Sequence, residues 1–176
     1  MRVISLLAAS AAVLLAVSSP SLAGGSKPAG NIVAAAANSP DHKTLVAAVK
    51  AAGLVDTLAS KGPFTVFAPT DAAFARLPAG TVESLLQPAN RDTLKAVLTY
   101  HVVPGKVSAK ELIAKINAAG GSASLTTVQG GKLTARFDGG NVVIVDAKGG
   151  AAVVTAADLM QSNGVIHVTD AVFIPG

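Results

Sequence analysis

The residues of this chain best equipped for acid–base or metal chemistry are its three histidines, His42, His101 and His167. Imidazole ligates zinc when neutral and changes charge near physiological pH, so it could serve a hydrolase in either way. Metal motifs usually set their ligands a few residues apart on one helix or loop, and these three lie in distant parts of the sequence. Folding could still gather them, which leaves a metal-assisted hydrolase as one reading. Their neighbours point elsewhere. Leu94, Val97, Leu98 and His101 fall at i, i+3, i+4 and i+7, so a helix carries His101 on its apolar face. His167 stands between Ile166 and Val168 and faces the opposite way from both in a strand. Both read as structural histidines whose ring nitrogens find hydrogen-bond partners inside.

Nucleophilic and phosphate chemistry find less support. A serine nucleophile sits on a strained turn, often Gly-x-Ser-x-Gly. Gly120-Gly-Ser-Ala-Ser124 lacks the closing glycine and reads as a loop with no strand before it. Gly105-Lys106 lacks both the upstream glycine and the following Ser/Thr of a phosphate loop. Asp138 and Asp146 flank a hairpin and are accounted for by turn chemistry, and Asp71 by the positive end of a helix dipole. With no cysteine in the sequence, thiol nucleophiles, thiolate zinc sites, disulfides and a lipid-modified N-terminal cysteine are excluded. No catalytic residue, metal ligand or cofactor is assigned, and the chain reads as a non-enzyme.

The composition bounds the partners. The 176 residues carry a net charge of +4, with the basic residues scattered singly. Nucleic-acid binding would want a basic stripe or stacking aromatics, and only 3% of the chain is aromatic, with no Trp and one Tyr. The N-terminus reads as an export signal: Met1-Arg2, an apolar run from Val3 to Val17, then small residues at Ser21 and Ala23. The apolar run falls short of the ~20 residues a membrane span needs. Residues 1–23 are therefore expected to be a cleaved secretory signal and 24–30 a flexible mature N-terminus. Residues 31–176 are expected to form one domain, with no integral membrane anchor after cleavage and no glycolipid anchor. The expected location is secreted, periplasmic or extracellular.

Helical patterning dominates the first half. Asp41 can cap a helix with Leu45, Ala48, Val49 and Ala52 inward, ending at Gly53. Phe64 to Ala68 reads as a short strand ending at Pro69, and Thr70 caps a turn of helix with Phe74 and Leu77 inward. Short and longer helices follow over Thr81–Leu86 and from Asn90, and Ser108-Ala-Lys-Glu111 is a capping box. After Gly120 the period changes to two: Leu133, Ala135 and Phe137 alternate with polar residues, Asp138-Gly-Gly-Asn141 turns, and Val142–Val145 returns. Ala152–Thr155 is a further strand, Asp158-Leu-Met160 a loop or short turn, and two strands close the chain. Helices first and strands afterwards predict an α+β domain.

Three stretches of this pattern carry a resemblance: Thr65-Val-Phe-Ala-Pro-Thr-Asp-Ala-Ala-Phe74, Tyr100-His101, and Asn163-Gly-Val-Ile-His-Val-Thr-Asp-Ala-Val-Phe-Ile-Pro175. In this order they resemble the signature blocks of the fasciclin-like domain, over roughly Asn31 to Pro175. The resemblance marks Thr65, Phe67, Pro69, Thr70, Asp71, Phe74, His101, Asn163, Gly164 and His167 as structural-motif residues. It implies a wedge of β-strands packed into a small sandwich and flanked by short helices, mostly from the N-terminal half. It also implies a role in adhesion to a cell-surface, envelope or matrix protein or polysaccharide. Animal members of the family associate integrin binding with a Glu-Pro-Asp-Ile segment and with the Tyr-His block. Here Ala156-Ala157-Asp158-Leu159 stands in that place, keeping the aspartate. Asp158, Leu159 and the surface near Tyr100 are thus the candidate partner-binding residues, with Asp158 equally able to structure its loop through backbone hydrogen bonds. A soluble binder of a small apolar ligand, held in a cleft between helices and strands, is the second reading.

Overall fold

The computed structural model describes residues 30–176; the signal expected over 1–23 and residues 24–29 of the expected flexible stretch lie outside the described residues. Helix α1 (Ile32–Asn38) starts from Asn31, whose side chain accepts the Ala34 amide. Helix α2 (Lys43–Ala52) buries Leu45, Ala48, Val49 and Ala52 and stops where Gly53 takes φ 69°, a left-handed turn that glycine adopts without steric penalty. Asp41 does not cap it. The free first-turn amide of Thr44 donates instead to Asp71 Oδ1, 2.8 Å away on a different helix, while the Asp71 amide donates to Asp41 O. Short α3 (Val55–Ala59) leads to β1 (Phe64–Pro69), α4 (Asp71–Ala75) capped by Thr70, α5 (Thr81–Leu86) and α6 (Arg91–Tyr100). Strand β2 (Val102–Pro104) precedes α7 (Ala109–Ala118), which opens with both halves of the Ser108–Glu111 capping box.

The remaining chain is sheet: β3 (Ser122–Thr126), β4 (Lys132–Asp138), β5 (Asn141–Val145), β6 (Ala151–Gln161) and β7 (Gly164–Thr169). The seven strands run in the order β2-β1-β7-β6-β5-β4-β3, with β1 and β7 parallel and the other pairs antiparallel. The outer edges turn towards each other, since the Val128 amide just after β3 donates to Val102 O of β2 at 2.7 Å. The result is a nearly closed α+β wedge.

Two apolar clusters hold it. One packs α1–α6 against the sheet through Ile32, Leu45, Leu58, Val66, Leu98 and Ile166. The other fills the space between the sheet halves and α7 through Phe67, Tyr100, Leu112, Ile116, Leu133 and Phe173. Strands β1 and β7 lie between these clusters. Val66 and Ile166 face the first, Phe67 faces the second, and nearly every residue of both strands is buried. A parallel pair covered on both faces needs apolar residues on both, which explains the uninterrupted Val-Phe-Ala and Val-Ile-His-Val runs.

Four further expectations are corrected besides the Asp41 cap. The Gly120–Ser124 stretch enters a strand, β3, rather than lying in a loop. Phe137, expected inward, is 38% exposed where β4 runs out towards its hairpin. Asp158-Leu-Met160 is not a loop: β6 continues through it to Gln161. The last apolar stretch is not a strand either. Val172 and Phe173 are buried, but the segment is held by side chains: Phe173 donates to His101 Nε2 at 2.9 Å and Ile174 to Asp146 Oδ2 at 3.0 Å. Local periodicity cannot distinguish an extended segment paired by a ladder from one pinned by buried side chains.

Candidate functional site

The three histidines go to three separate places. His42 precedes α2. His101 ends α6, 2% exposed, with Nδ1 2.7 Å from Val97 O and Nε2 2.9 Å from the Phe173 amide. A carbonyl needs a donor and an amide needs an acceptor, so the ring is neutral with its proton on Nδ1. Burial pushes its pKa down to about 4, against the opposing pull of Val97 O and the Asp146 charge. Its ring packs against Phe173, with centroids 4.9 Å apart. Both nitrogens are thus engaged by the backbone, and the described residues hold no group of three His, Asp or Glu side chains placed to share a metal.

His167, 1% exposed, stacks on Phe67 at 5.6 Å. Its Nε2 donates to Val107 O at 2.8 Å, and its Nδ1 accepts a long bond, 3.4 Å, from the Asp158 amide. Strand β6 explains why that amide is available. Ala156 pairs with Val168 and Leu159 with Ile166, so Ala157 and Asp158 together oppose the single residue His167. Such a bulge leaves a residue outside the ladder and bends the strand. Asp158 takes φ 59° there, a left-handed conformation that Asp tolerates better than most side chains. Its carboxylate accepts the Ala109 amide at 2.7 Å, the first residue of α7. Bulge, β7 and α7 are joined at this one point, with the Asp158 carboxylate bonded to the α7 backbone.

Beyond the bulge the strand is open. β6 pairs with β5 only through Ala151–Val153, whereas Val154–Gln161 pairs with β7 alone. Consecutive residues of a strand face opposite ways, so the exposure of both Leu159 (42%) and Met160 (45%) leaves both faces partly open there. Met160 belongs to no sequence motif. Its position opposite an uncovered edge arises from the length of β6, which only the fold reveals.

Tyr100 is corrected as a surface residue. It is 1% exposed, its hydroxyl donates to Lys132 O at 2.7 Å and accepts the Ala147 amide at 3.0 Å, and burial raises its pKa. A hydroxyl saturated in this way has nothing to offer a partner. The other marked residues also make internal bonds. Thr65 Oγ1 donates to Gly105 O and accepts from Val107 N, and Pro69 is fully buried. Thr70 caps α4, and Phe74 lies in the first core cluster. Asp71 is partly buried, which would raise its pKa, but the Thr44 and Lys43 hydrogen bonds and the neighbouring His42 hold the carboxyl below its ordinary value. Asn163 accepts from Ile32 N and donates to Leu58 O and Ser60 O, tying α1, α3 and the sheet together. Gly164 lies so close to Phe64 O that a Cβ there would collide with it.

An apolar space of about 30 Å³ between α1, α2 and the sheet has room for a water molecule or two. It is too small for a ring-sized ligand.

Residues 40–175 match the model of the fasciclin domain. A Synechocystis protein, sll1483, is 50% identical over 144 residues, covering 82% of this chain and 73% of that protein. The immunogenic protein MPB70 of Mycobacterium bovis is 34% identical over 149 residues, covering 82% of this chain and 68% of its own. The structure of a FAS1 domain pair from the insect cell adhesion molecule fasciclin I superposes with a TM-score of 0.72 at 22% identity. That match covers 82% of this chain and spans about half the length (51%) of the pair. The chain belongs to the fasciclin domain family.

Proposed function

We propose that this chain is an exported, non-enzymatic interaction module that binds a protein of the cell surface, envelope or matrix. The observation that carries this reading is the half of β6 beyond its bulge, which pairs on one side only and exposes Leu159 and Met160 on its two faces. An open strand edge can accept an extended segment of another protein through main-chain hydrogen bonds, with apolar side chains giving specificity. Asp158 then acts as the hinge-pin that holds this edge against α7, rather than as a contact in its own right. Support for the non-enzymatic reading comes from His101 and His167, whose ring nitrogens are taken by backbone groups. The solved domain pair with the same fold comes from a cell adhesion molecule, which is consistent with the same role.

The experiment is a comparison of immobilised residues 24–176 with its Met160→Asp variant, each exposed to envelope and culture-medium fractions from the source organism. A specific protein retained by the first and lost from the second is expected. Retention no greater than on an unrelated control, or retention unchanged by Met160→Asp, would refute the reading.

A further inference from the structure

Between α1 and the end of β6 lies a second pocket, open at its mouth and about 160 Å³ in volume. Its walls are largely apolar, from Ala35, Ala36, Ala68, Leu159 and Ile166, with Ser39, His42 and Gln161 completing the lining. These last two hold the described residues' only buried side-chain atoms without a hydrogen-bond partner, His42 Nε2 and Gln161 Oε1. His42 is only 6% exposed. An unpaired polar atom in such a position is costly, so two in one largely apolar pocket point to a ligand that pairs with both.

The bond made by Gln161, with one tautomer of His42, gives the polarity of the missing group. Ser39 Oγ lies 2.7 Å from His42 Nδ1, a contact that either ring tautomer can make; in the one where the hydroxyl donates to Nδ1, the ring proton sits on Nε2 as a donor. Gln161 Nε2 faces Leu159 O at 3.4 Å, which assigns the amide nitrogen to that side and leaves Oε1 as an acceptor. One donor and one acceptor match a hydroxyl, which accepts from the first and donates to the second. An apolar space of roughly 150 Å³ admits a six-membered ring.

We propose that this pocket binds a compact alcohol: an apolar body of about ring size carrying one hydroxyl, held between His42 and Gln161. The site is distinct from the open edge of β6, although Leu159 borders both.

Cyclohexanol and cyclohexanone test it, since they share a body and the ketone can only accept. Methyl shifts of Ala35, Ala36, Leu159 and Ile166 in the full mature chain should saturate with cyclohexanol, which should bind about tenfold more tightly than the ketone. Gln161→Met removes the acceptor at similar size and should erase that preference. Ala36→Leu fills the pocket and should abolish both titrations, with circular dichroism reporting that each variant folds. The absence of saturable shifts up to roughly 50 mM, a weak-fragment limit, would show that the pocket takes water alone and would overturn the proposal. So would equal affinity for alcohol and ketone, or a preference that survives Gln161→Met.

Discussion

Acidification should destabilise this protein through His101 in a way that the pH window itself identifies. The ring is buried and neutral, and burial lowers its pKa to about 4, whereas a free histidine titrates near ~6.5. In the unfolded chain it therefore takes up a proton that the folded protein refuses. The stabilisation is complete above about 6.5 and is lost as pH falls from there through about 4. The whole gap corresponds to roughly 3 kcal/mol, of which about 2.5 kcal/mol disappears between pH 7.5 and 4.5. The structural reason is specific. A second proton, on Nε2, would turn the acceptor of the Phe173 amide into a donor facing a donor. Urea denaturation of the wild type and of His101→Gln at the two pH values isolates the effect. The variant is expected to be less stable at pH 7.5 but to lose about 2.5 kcal/mol less on acidification. Parallel losses in the two proteins would refute the neutral, doubly bonded ring. So would an imidazole NMR titration of His101 centred near 6.5, which needs no variant at all.

Three further outcomes follow from the geometry. Gly164→Ala should destabilise by about 1–3 kcal/mol, read from the urea midpoint, because its methyl group meets Phe64 O across the β1–β7 pair. Asp158→Ala removes the bond to Ala109 while keeping a left-handed residue, for about 1–2 kcal/mol of cap plus about 1 kcal/mol of backbone strain. Asp158→Gly should recover the strain portion and so melt at a higher temperature than Asp158→Ala. Asp146→Ala strips acceptors from the Lys148, Gly150 and Ile174 amides. Hydrogen exchange at Ile174 should accelerate sharply, with a loss of about 3 kcal/mol in stability.

Much of the fold was legible because it rests on local chemistry. The Ser108–Glu111 box, the Thr70 cap, the left-handed Gly53 and the Asp138–Asn141 turn each satisfy backbone groups within a few residues of themselves. Periodicity placed His101 on the buried face of its helix, and three ordered blocks pointed to the family. The candidate site was less legible. Asp158 stood out, but the sequence read a turn where the structure has a bulge inside a long strand. Tyr100 stood out as a surface residue and is instead sealed in by Lys132 and Ala147. Neither Met160 nor Gln161 carries any local signal, since what distinguishes them is what lies across from them.

The sequence by itself determined the class of the domain, several of its helix starts and stops, its lack of thiol chemistry and its kinship. These depend on side chains meeting their own neighbours along the chain. Only the tertiary structure decided that β1 and β7 run parallel through the middle, and that Asp71 rather than Asp41 completes α2. It alone showed that the C-terminal segment is pinned by His101 and Asp146, and that the far half of β6 has an open side. Each of those joins residues tens of positions apart, and which of many buried partners a polar group meets is settled by packing the whole core at once.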